Sequence, residues 1–195
     1  KNKRKQFKDE TYWGKPITGF GDPKGKILFV GLAPAAHGGT RTGRVFTGDK
    51  SSDFLYKCLF NAKISNQSTS DHINDGLKLK NAFITPALKC VPPEDKPLKI
   101  ELDNCSKFFN NELNILKNLK VVVALGKIAF DTCKIFYSEK FEISKQVQFG
   151  HGKTYKLKNG VNLVGCYHPS PRNVNTGRIN EKMMTQLFQK VKRLN

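Results

Sequence analysis

Acidic residues are scarce in this sequence, and long apolar runs are absent from it. Its 195 residues include 16 Asp and Glu against 34 Lys and Arg, which gives a formal net charge of +18. No run reaches the roughly 18 apolar residues of a membrane helix, and no secretory signal is visible at the start. The excess of positive charge favours a polyanionic partner, first nucleic acid and second an anionic membrane surface, over a merely Lys-rich, solvated surface.

Cysteine is also sparse. The five thiols are odd in number and unevenly spaced, which does not resemble the disulfide framework of a secreted protein. We therefore expect an intracellular, cytoplasmic protein. With 38% hydrophobic residues, among them 14 Phe, the chain can bury a sizeable core, and its length favours one domain over residues 1–195.

Four short apolar runs predict buried strands, at 27–30, 82–88, 121–125 and 162–166. Helical spacing predicts helices between and after them, from Ser51 (capped by Ser51 or Ser52), from about Pro97, over 127–137 and over about 180–194. The polar segment 66–80 predicts a surface loop. This alternation indicates an α/β fold with about four parallel strands and helices on both faces of the sheet.

A glycine-rich loop, 31–50, connects the first strand to the next helix. It carries His37, Arg41, Arg44, Phe46 and Asp49, which is more chemistry than a connector needs. In many α/β proteins, a glycine-rich loop between a strand and the start of a helix binds an anion. A second loop, 167–177, also leaves the carboxyl end of a strand, so we expect both loops to meet in one cleft. The first loop lacks both the Walker and the G-x-G-x-x-G spacing, which argues against a nucleotide-binding enzyme.

Four motifs occur in a recognisable order: GLAPAAHGGTRTGRVFTGD followed by SSDFL, KCVPPEDKP, VVVALGKIAFD and YHPSPRNVNTGR. Together they resemble the uracil-DNA glycosylase superfamily, and most closely its family 5, the iron–sulfur-containing branch of thermophilic archaea and bacteria. The resemblance implies a three-layer sandwich with a central, mostly parallel four-stranded sheet. It also implies a monofunctional DNA repair enzyme that flips a damaged base out of DNA and hydrolyses its N-glycosidic bond. The alternative is a non-catalytic lesion-binding protein on the same fold.

The resemblance also assigns roles to individual residues. Asp49 matches the carboxylate near the sugar, although a helix N-cap is its other reading. His168 matches the histidine that hydrogen-bonds a base carbonyl, and Phe46 matches the aromatic that stacks on the flipped base, with a plain core Phe as the alternative. The backbone expected to line the base pocket is that of Leu32, Ala33, Pro34 and Ala35. The residues expected on DNA are Arg41, Arg44, Lys50, Ser170 and a wedge of Pro171, Arg172 and Asn173.

Two features concern substrate range and cofactor. Pro86 stands where some branches have an Asn that reads uracil, so we expect hypoxanthine or xanthine to be excised besides uracil. The family holds a 4Fe-4S cluster on four Cys, and Cys90 and Cys105 match its second pair. The two further Cys ligands are expected N-terminal to the sequence given. The expected partners are double- and single-stranded DNA with deaminated bases, met by a monomer near the nucleoid.

Overall fold

The computed structural model describes residues 3–195, apart from the side chain of Asp95, so Lys1 and Asn2 of the predicted domain lie outside the described residues. Six strands form one sheet. They are β1 (Phe20–Gly21), β2 (Ile27–Gly31), β3 (Ala82–Pro86), β4 (Val121–Leu125), β5 (Thr154–Lys156) and β6 (Asn162–Cys166). Their order across the sheet is β1-β3-β2-β4-β6-β5.

The helices lie between and after these strands along the chain. They are α1 (Gly39–Thr42), α2 (Lys50–Asn61), α3 (Lys99–Ile115), α4 (Lys127–Ser138), α5 (Pro171–Asn175) and α6 (Glu181–Arg193), with 3₁₀ turns at Lys5–Phe7 and Pro93–Asp95. None of the helices within residues 3–195 has the length and apolar character that crossing a bilayer requires. The four long helices predicted from the sequence are confirmed. The turns α1 and α5 were not predicted, because each is too short to show a helical period.

The four predicted strands form the parallel centre of the sheet. β2 pairs with β3 on one side, where Ile27 lies opposite Ala82, and with β4 on the other, where Ile27 lies opposite Val121. The edge strands β1 and β5 are antiparallel to their neighbours and were not predicted. With two and three residues, they are too short for an alternating pattern to identify them.

Helices cover both faces of the sheet, so the predicted three-layer sandwich is confirmed. On one face, α2 and α6 pack through Leu55, Leu59 and Phe188 against side chains such as Phe29. On the other face, α3 and α4 pack through Phe109 and Phe130. Every residue of β2 and β4 is buried, as expected for parallel strands covered on both sides. The carboxyl ends of β2, β3, β4 and β6 therefore share one edge, where the two loops emerge.

Candidate active site

Asp49 lies immediately before α2 and caps it. Its Oδ1 accepts hydrogen bonds from the backbone N–H of Ser51 at 2.8 Å and of Ser52 at 3.0 Å. The Ser52 hydroxyl accepts one from the Asp49 N–H at 3.0 Å, which completes a capping box. The helix is thus capped by Asp49, and the expected cap at Ser51 or Ser52 was wrong. The alternative prediction, that Asp49 is a helix N-cap, is therefore confirmed, and the cap uses only one of its two carboxylate oxygens, Oδ1.

The other oxygen, Oδ2, lies against Gly38. A Cβ atom at position 38 would overlap Oδ2, so only glycine leaves the carboxylate where it is. Desolvation by burial raises the pKa of Asp49, against the lowering effect of the hydrogen bonds from Ser52 and Ser51. A carboxylate with a raised pKa is a better proton acceptor than an exposed one, which suits it to accept a proton from water.

Phe46 is buried where the first loop approaches the end of β2. Its side chain is only 8% exposed, and a Cβ atom on Gly31 would lie 2.6 Å from its ring. Its φ of 48° is in the left-handed region that residues other than glycine rarely adopt. The ring centroid lies 6.1 Å from that of His168, and the two planes are tilted by 35°. The two side chains predicted to contact the base are therefore neighbours.

His168 follows β6 in a loop that is fixed on both sides. Its carbonyl accepts a hydrogen bond from Asn173 Nδ2 at 2.9 Å, and the N–H of Tyr167 donates to His151 Nδ1 at 3.2 Å. Burial lowers the pKa of His168 to about 4. The imidazole is therefore neutral near pH 7, where one ring N–H can donate a hydrogen bond to an acceptor.

A cavity of about 1050 Å³ brings residues from both loops together at the carboxyl edge of the sheet. The predicted site residues that line it are Ala35, Arg41, Asp49, Lys50, His168, Ser170 and Pro171. Its volume is sufficient for a nucleobase with its sugar. The convergence of the two loops was predicted from the position of their strands, and the structure confirms it.

Four of the residues predicted to contact the base are not among the described residues that line this cavity: Leu32, Ala33, Pro34 and Phe46. Phe46 is nevertheless next to His168, which does line it. The carbonyl of Leu32 accepts a hydrogen bond from the N–H of Leu88 at 2.8 Å, which extends the pairing of β2 with β3. The carbonyl of Ala35 accepts from Gly38 and Thr40, which shapes the turn before α1. This segment therefore holds the loop against the sheet, and Ala35 is its member at the cavity surface.

Arg41 is held by protein groups in the wall of the cavity. Its guanidinium donates to Glu10 at 2.7 Å, to the carbonyl of His37 at 2.8 Å and to that of Gly48 at 3.1 Å. It also lies over the ring of Phe7, 4.1 Å from its centroid. Lys50, by contrast, is exposed and forms a surface pair with Asp53 at 3.3 Å. Of the two, Lys50 is the one whose charge faces solvent.

The prediction that Arg44 contacts phosphate is contradicted by its burial. Arg44 is 4% exposed, and its Nη2 forms an ion pair with Asp75 Oδ2 at 2.6 Å. Its other donors bind Asp75 Oδ1, Thr47 and Ser70. Since the sequence shows Asp75 only within a polar segment, 66–80, nothing in it identified this partner. Part of that segment is therefore buried, against the prediction of a surface loop.

The predicted wedge divides into two parts. Pro171 and Arg172 are exposed at the start of α5, where a duplex could meet them. Ser170 caps that short helix, and its hydroxyl accepts a hydrogen bond from the N–H of Asn173 at 3.4 Å. The side chain of Asn173 is engaged with the carbonyl of His168. Asn173 thus supports the loop of His168 in this structure, while Pro171 and Arg172 are free to project outward.

The two cysteines predicted as metal ligands lie on neighbouring elements. Cys90 is exposed after β3, and Cys105 is half-buried on α3. Partial burial, and then the charge of Cys105, raises the pKa of the Cys90 thiol. Thiolates are the ligands of iron–sulfur clusters, so the pair fits half of a four-ligand set. Residues 3–195 bring no group of three or more His, Cys, Asp or Glu together as a metal site.

The other three cysteines are buried, and burial raises the pKa of each thiol. That of Cys58 rises to about 11, and those of Cys133 and Cys166 rise further. They are protonated core thiols with little reactivity. The predicted distinction between the Cys90–Cys105 pair and these three thiols agrees with their burial.

The chain is similar to characterised families over most of its length. A family model described as the uracil DNA glycosylase superfamily matches residues 18–192. A type-5 uracil-DNA glycosylase of Thermus thermophilus is 40% identical over 193 residues, covering 98% of this chain and 86% of that protein. A type-5 uracil-DNA glycosylase of Mycobacterium bovis is 39% identical over 193 residues, and the match covers 98% of this chain and 71% of that protein.

More distant similarities agree with this assignment. A type-4 uracil-DNA glycosylase of Sulfurisphaera tokodaii is 27% identical over 182 residues, covering 91% of this chain and 74% of that protein. The solution structure of a Methanosarcina acetivorans protein superposes with a TM-score of 0.55 at 12% identity, covering 92% of this chain and 98% of that one, which shows a shared fold. The sequence similarity and the fold together place this chain in the uracil DNA glycosylase superfamily, among relatives of type 5.

Proposed function

We propose that this protein excises uracil from DNA and leaves an abasic site. The observation that carries the proposal is the cavity that is lined by both Asp49, on the first loop, and His168, on the second. The type-5 relatives are named uracil-DNA glycosylases, which favours excision over the alternative of a lesion-binding protein without activity. Residues 1–195 would act as one domain and as a monomer in the cytoplasm, near the nucleoid.

The reaction is the hydrolysis of the bond between C1′ of the sugar and the base nitrogen. The base leaves with the electron pair, so negative charge develops on it while positive charge develops on the sugar. A water oxygen bonds to C1′, and its proton passes to Asp49 or to solvent. The departing base anion takes up a proton from solvent, so the products are the free base and an abasic site with a hydroxyl at C1′. No covalent bond between DNA and protein is needed.

His168 and Asp49 stabilise opposite ends of this charge separation. The neutral imidazole of His168 donates a hydrogen bond to a carbonyl oxygen of the departing base. One preorganised donor of this kind contributes about 3 kcal/mol to a transition state. The ionised carboxylate of Asp49 positions the water and stabilises the cationic sugar. Phe46 provides the surface for the extruded base, and stacking on an aromatic side chain contributes roughly 1–3 kcal/mol per base.

The pocket is expected to tolerate several deaminated bases. Pro86 ends β3 where an amide side chain would read the edge of uracil, and proline brings no side-chain donor or acceptor. A pocket that forms fewer hydrogen bonds with one base rejects other bases less strongly. We therefore include hypoxanthine and xanthine among the substrates, in double- or single-stranded DNA. The net charge of +18 would hold the phosphates, with Lys50 and Arg172 exposed beside the cavity.

Cys90 and Cys105 are proposed as two of the four Cys ligands of a 4Fe-4S cluster. Such a cluster, when bound, supplies a structural crosslink and takes no part in the hydrolysis. The residues around the pair already connect their elements. Lys89, which is 6% exposed, donates to Glu112 of α3 at 2.6 Å and to Thr85 of β3 at 2.9 Å. The crosslink would fix the segment with Pro92 and Pro93 beside α3.

A panel of oligonucleotides with single lesions tests the function. Purified protein is incubated with duplex and single strands that contain uracil, hypoxanthine, xanthine or no lesion, and abasic sites are cleaved by alkali. We expect cleavage at uracil and at the two purine lesions, and none in the DNA without a lesion. Binding to these DNAs without any abasic product between pH 5 and 9 would instead support the lesion-binding alternative.

A further inference from the structure

Four polar side chains form a buried cluster behind Phe46. This cluster, called the Arg44 cluster below, consists of Arg44, Thr47, Ser70 and Asp75. Arg44 and Asp75 form a two-pronged ion pair, with Nη1 to Oδ1 at 2.9 Å and Nη2 to Oδ2 at 2.6 Å. Thr47 and Ser70 are each 0% exposed, and their hydroxyls lie 2.8 Å apart. None of its four members is among the residues that line the cavity, but Gly48 and Asp71, which do line it, donate backbone hydrogen bonds to Ser70 and Asp75.

Ser70 connects this cluster to the backbone of Phe46. Its hydroxyl donates to the carbonyl of Phe46 at 3.0 Å and accepts from Arg44 Nη2 at 3.0 Å. The carbonyl of Ser70 accepts from the N–H of Gly48 at 2.8 Å. The segment around Phe46 is thus held on both sides by one residue that is distant in sequence.

Phe46 needs such support because its backbone is strained. A phenylalanine at φ 48° persists only where its surroundings fix it, and strain of this kind is concentrated at functional sites. If the carbonyl of Phe46 turned, its ring would leave the position over Gly31 and beside His168. The buried ion pair of Arg44 and Asp75 adds little net stability, because the cost of desolvating two charges offsets their attraction. A role in positioning Phe46 would explain why the cluster is there.

We infer that Ser70, held by Arg44, Thr47 and Asp75, is a positioning residue that keeps the ring of Phe46 where the extruded base stacks. This inference rests on the proposed function, because it takes Phe46 to be the stacking surface. Ser70 itself touches no substrate. Its loss should therefore slow the excision step and leave the affinity for undamaged DNA unchanged.

The matched pair Ser70→Ala and Ser65→Ala tests this. Ser65 is also buried, at 3% exposure, and its hydroxyl also donates to a backbone carbonyl, that of Gln67 at 2.7 Å. Single-turnover excision of uracil, affinity for undamaged duplex and melting temperature are measured for both variants. We expect Ser70→Ala to slow excision about fivefold, the value of one hydrogen bond, with Ser65→Ala as fast as the parent. Equal rates in the two variants would overturn the inference.

Combining Ser70→Ala with Phe46→Leu separates positioning from general weakening. If Ser70 acts through Phe46, the double variant excises uracil no more slowly than Phe46→Leu alone. Multiplied losses would show that Ser70 acts by another route and would refute the inference. An unchanged rate in Phe46→Leu itself would instead refute the proposed stacking role of Phe46, so the two failures are distinguishable.

Discussion

The carboxylate of Asp49 lies so close to Gly38 that no side chain fits between them. Gly38 precedes α1, Asp49 precedes α2, and the first loop folds back so that the two meet at the cavity wall. The two glycines of the GG pair in this loop thus have different neighbours. Gly39 lies against the carbonyl of Arg44 and the ring of Pro34, whereas Gly38 determines where the carboxylate can be.

Gly38→Ala should therefore reduce excision by displacing Asp49. Because the Cβ atom would overlap Oδ2, the carboxylate must rotate away from its position, and a loss of about 100-fold is expected from misplaced catalytic groups. Single-turnover excision of uracil measures it. In Gly38→Ala combined with Asp49→Asn, the loss should equal that of Asp49→Asn alone. A double variant much slower than Asp49→Asn would show that Gly38 acts independently of the carboxylate.

Asp49→Asn and Asp49→Ala should separate the two roles of this side chain. Asparagine caps a helix about as well as aspartate, whereas alanine loses about 1 kcal/mol of stability at an N-cap. We expect both variants to lose at least about tenfold in excision, but only Asp49→Ala to unfold at lower denaturant. Urea titration and single-turnover kinetics give both quantities. Full activity in Asp49→Asn would remove the carboxylate from the mechanism.

The raised pKa of Asp49 predicts the acid limb of the rate profile. In the proposed mechanism the ionised form of Asp49 is the active one. The rate should therefore fall as the pH falls through that pKa, and burial should move this fall above the ordinary range of an aspartate. Single-turnover rates between pH 4 and 8 on uracil duplex measure the midpoint. A midpoint at or below the ordinary value of 3.8 would contradict the burial of the carboxylate.

His168→Asn should slow excision by about 100-fold, the value of one preorganised donor. It should also change how stability depends on pH. The pKa of His168 is about 4 in the folded protein and about 6.5 in an unfolded chain, so the unfolded state binds the extra proton between these values. The free energy of unfolding then decreases as the pH falls from 6.5 to 4, and His168→Asn should reduce this decrease. Urea titrations at several pH values test it, with the exposed His72→Asn as control.

Asp75→Asn should destabilise the protein far more than a comparable change at its surface. It leaves the guanidinium of Arg44 buried without its counter-ion, which costs about 3–5 kcal/mol. Asp131→Asn breaks an exposed pair with Lys127 and should cost less than about 1 kcal/mol. Urea titration at pH 7 compares them. Desolvation raises the pKa of Asp75, but the hydrogen bonds from Arg44, Leu77 and Asp71 and the charge of Arg44 lower it overall. This stabilisation is therefore lost as the pH falls below 3.8.

Cys105→Ser should remove iron and sulfide from protein that contains all four ligands, together with its brown colour. The excision step itself should change little, because no catalytic group lies at the cysteine pair. Iron content, acid-labile sulfide and the visible spectrum are compared with those of Cys133→Ser, which alters a buried core thiol. A parent protein that is colourless and as stable as Cys105→Ser would refute the cluster.

The sequence was most informative where the local pattern and the burial coincide. The strands β2, β4 and β6 are apolar runs that lie buried between helices, so composition identified them. The cleft followed from topology, because parallel strands deliver their loops to one edge. For the same reason Asp49 and His168 could be paired before any contact between their loops was known.

The sequence could not identify groups that depend on distant partners. In the sequence, Arg44 cannot be distinguished from Arg41 and Lys50, because all three are basic residues of the same glycine-rich loop. Only the position of Asp75 in the fold shows that Arg44 is a buried, paired ion. Ser70 belongs to a polar segment that predicts a surface loop, yet it is fully buried. The Ser, Thr and Asp residues of that segment are as typical of turns as of hydrogen-bonded clusters, so its composition did not distinguish the two.

The two roles of Asp49, the observed helix cap and the proposed catalytic carboxylate, restrict what can replace it in evolution. Asparagine would preserve the start of α2 while abolishing the negative charge at the sugar, and larger or apolar residues would fail at both. A descendant of this protein that had given up chemistry but still surveyed DNA for damage would therefore be expected to carry Asn there. Asp or Asn at the position of Asp49 would then distinguish, from sequence alone, repair enzymes from proteins that only bind damaged DNA.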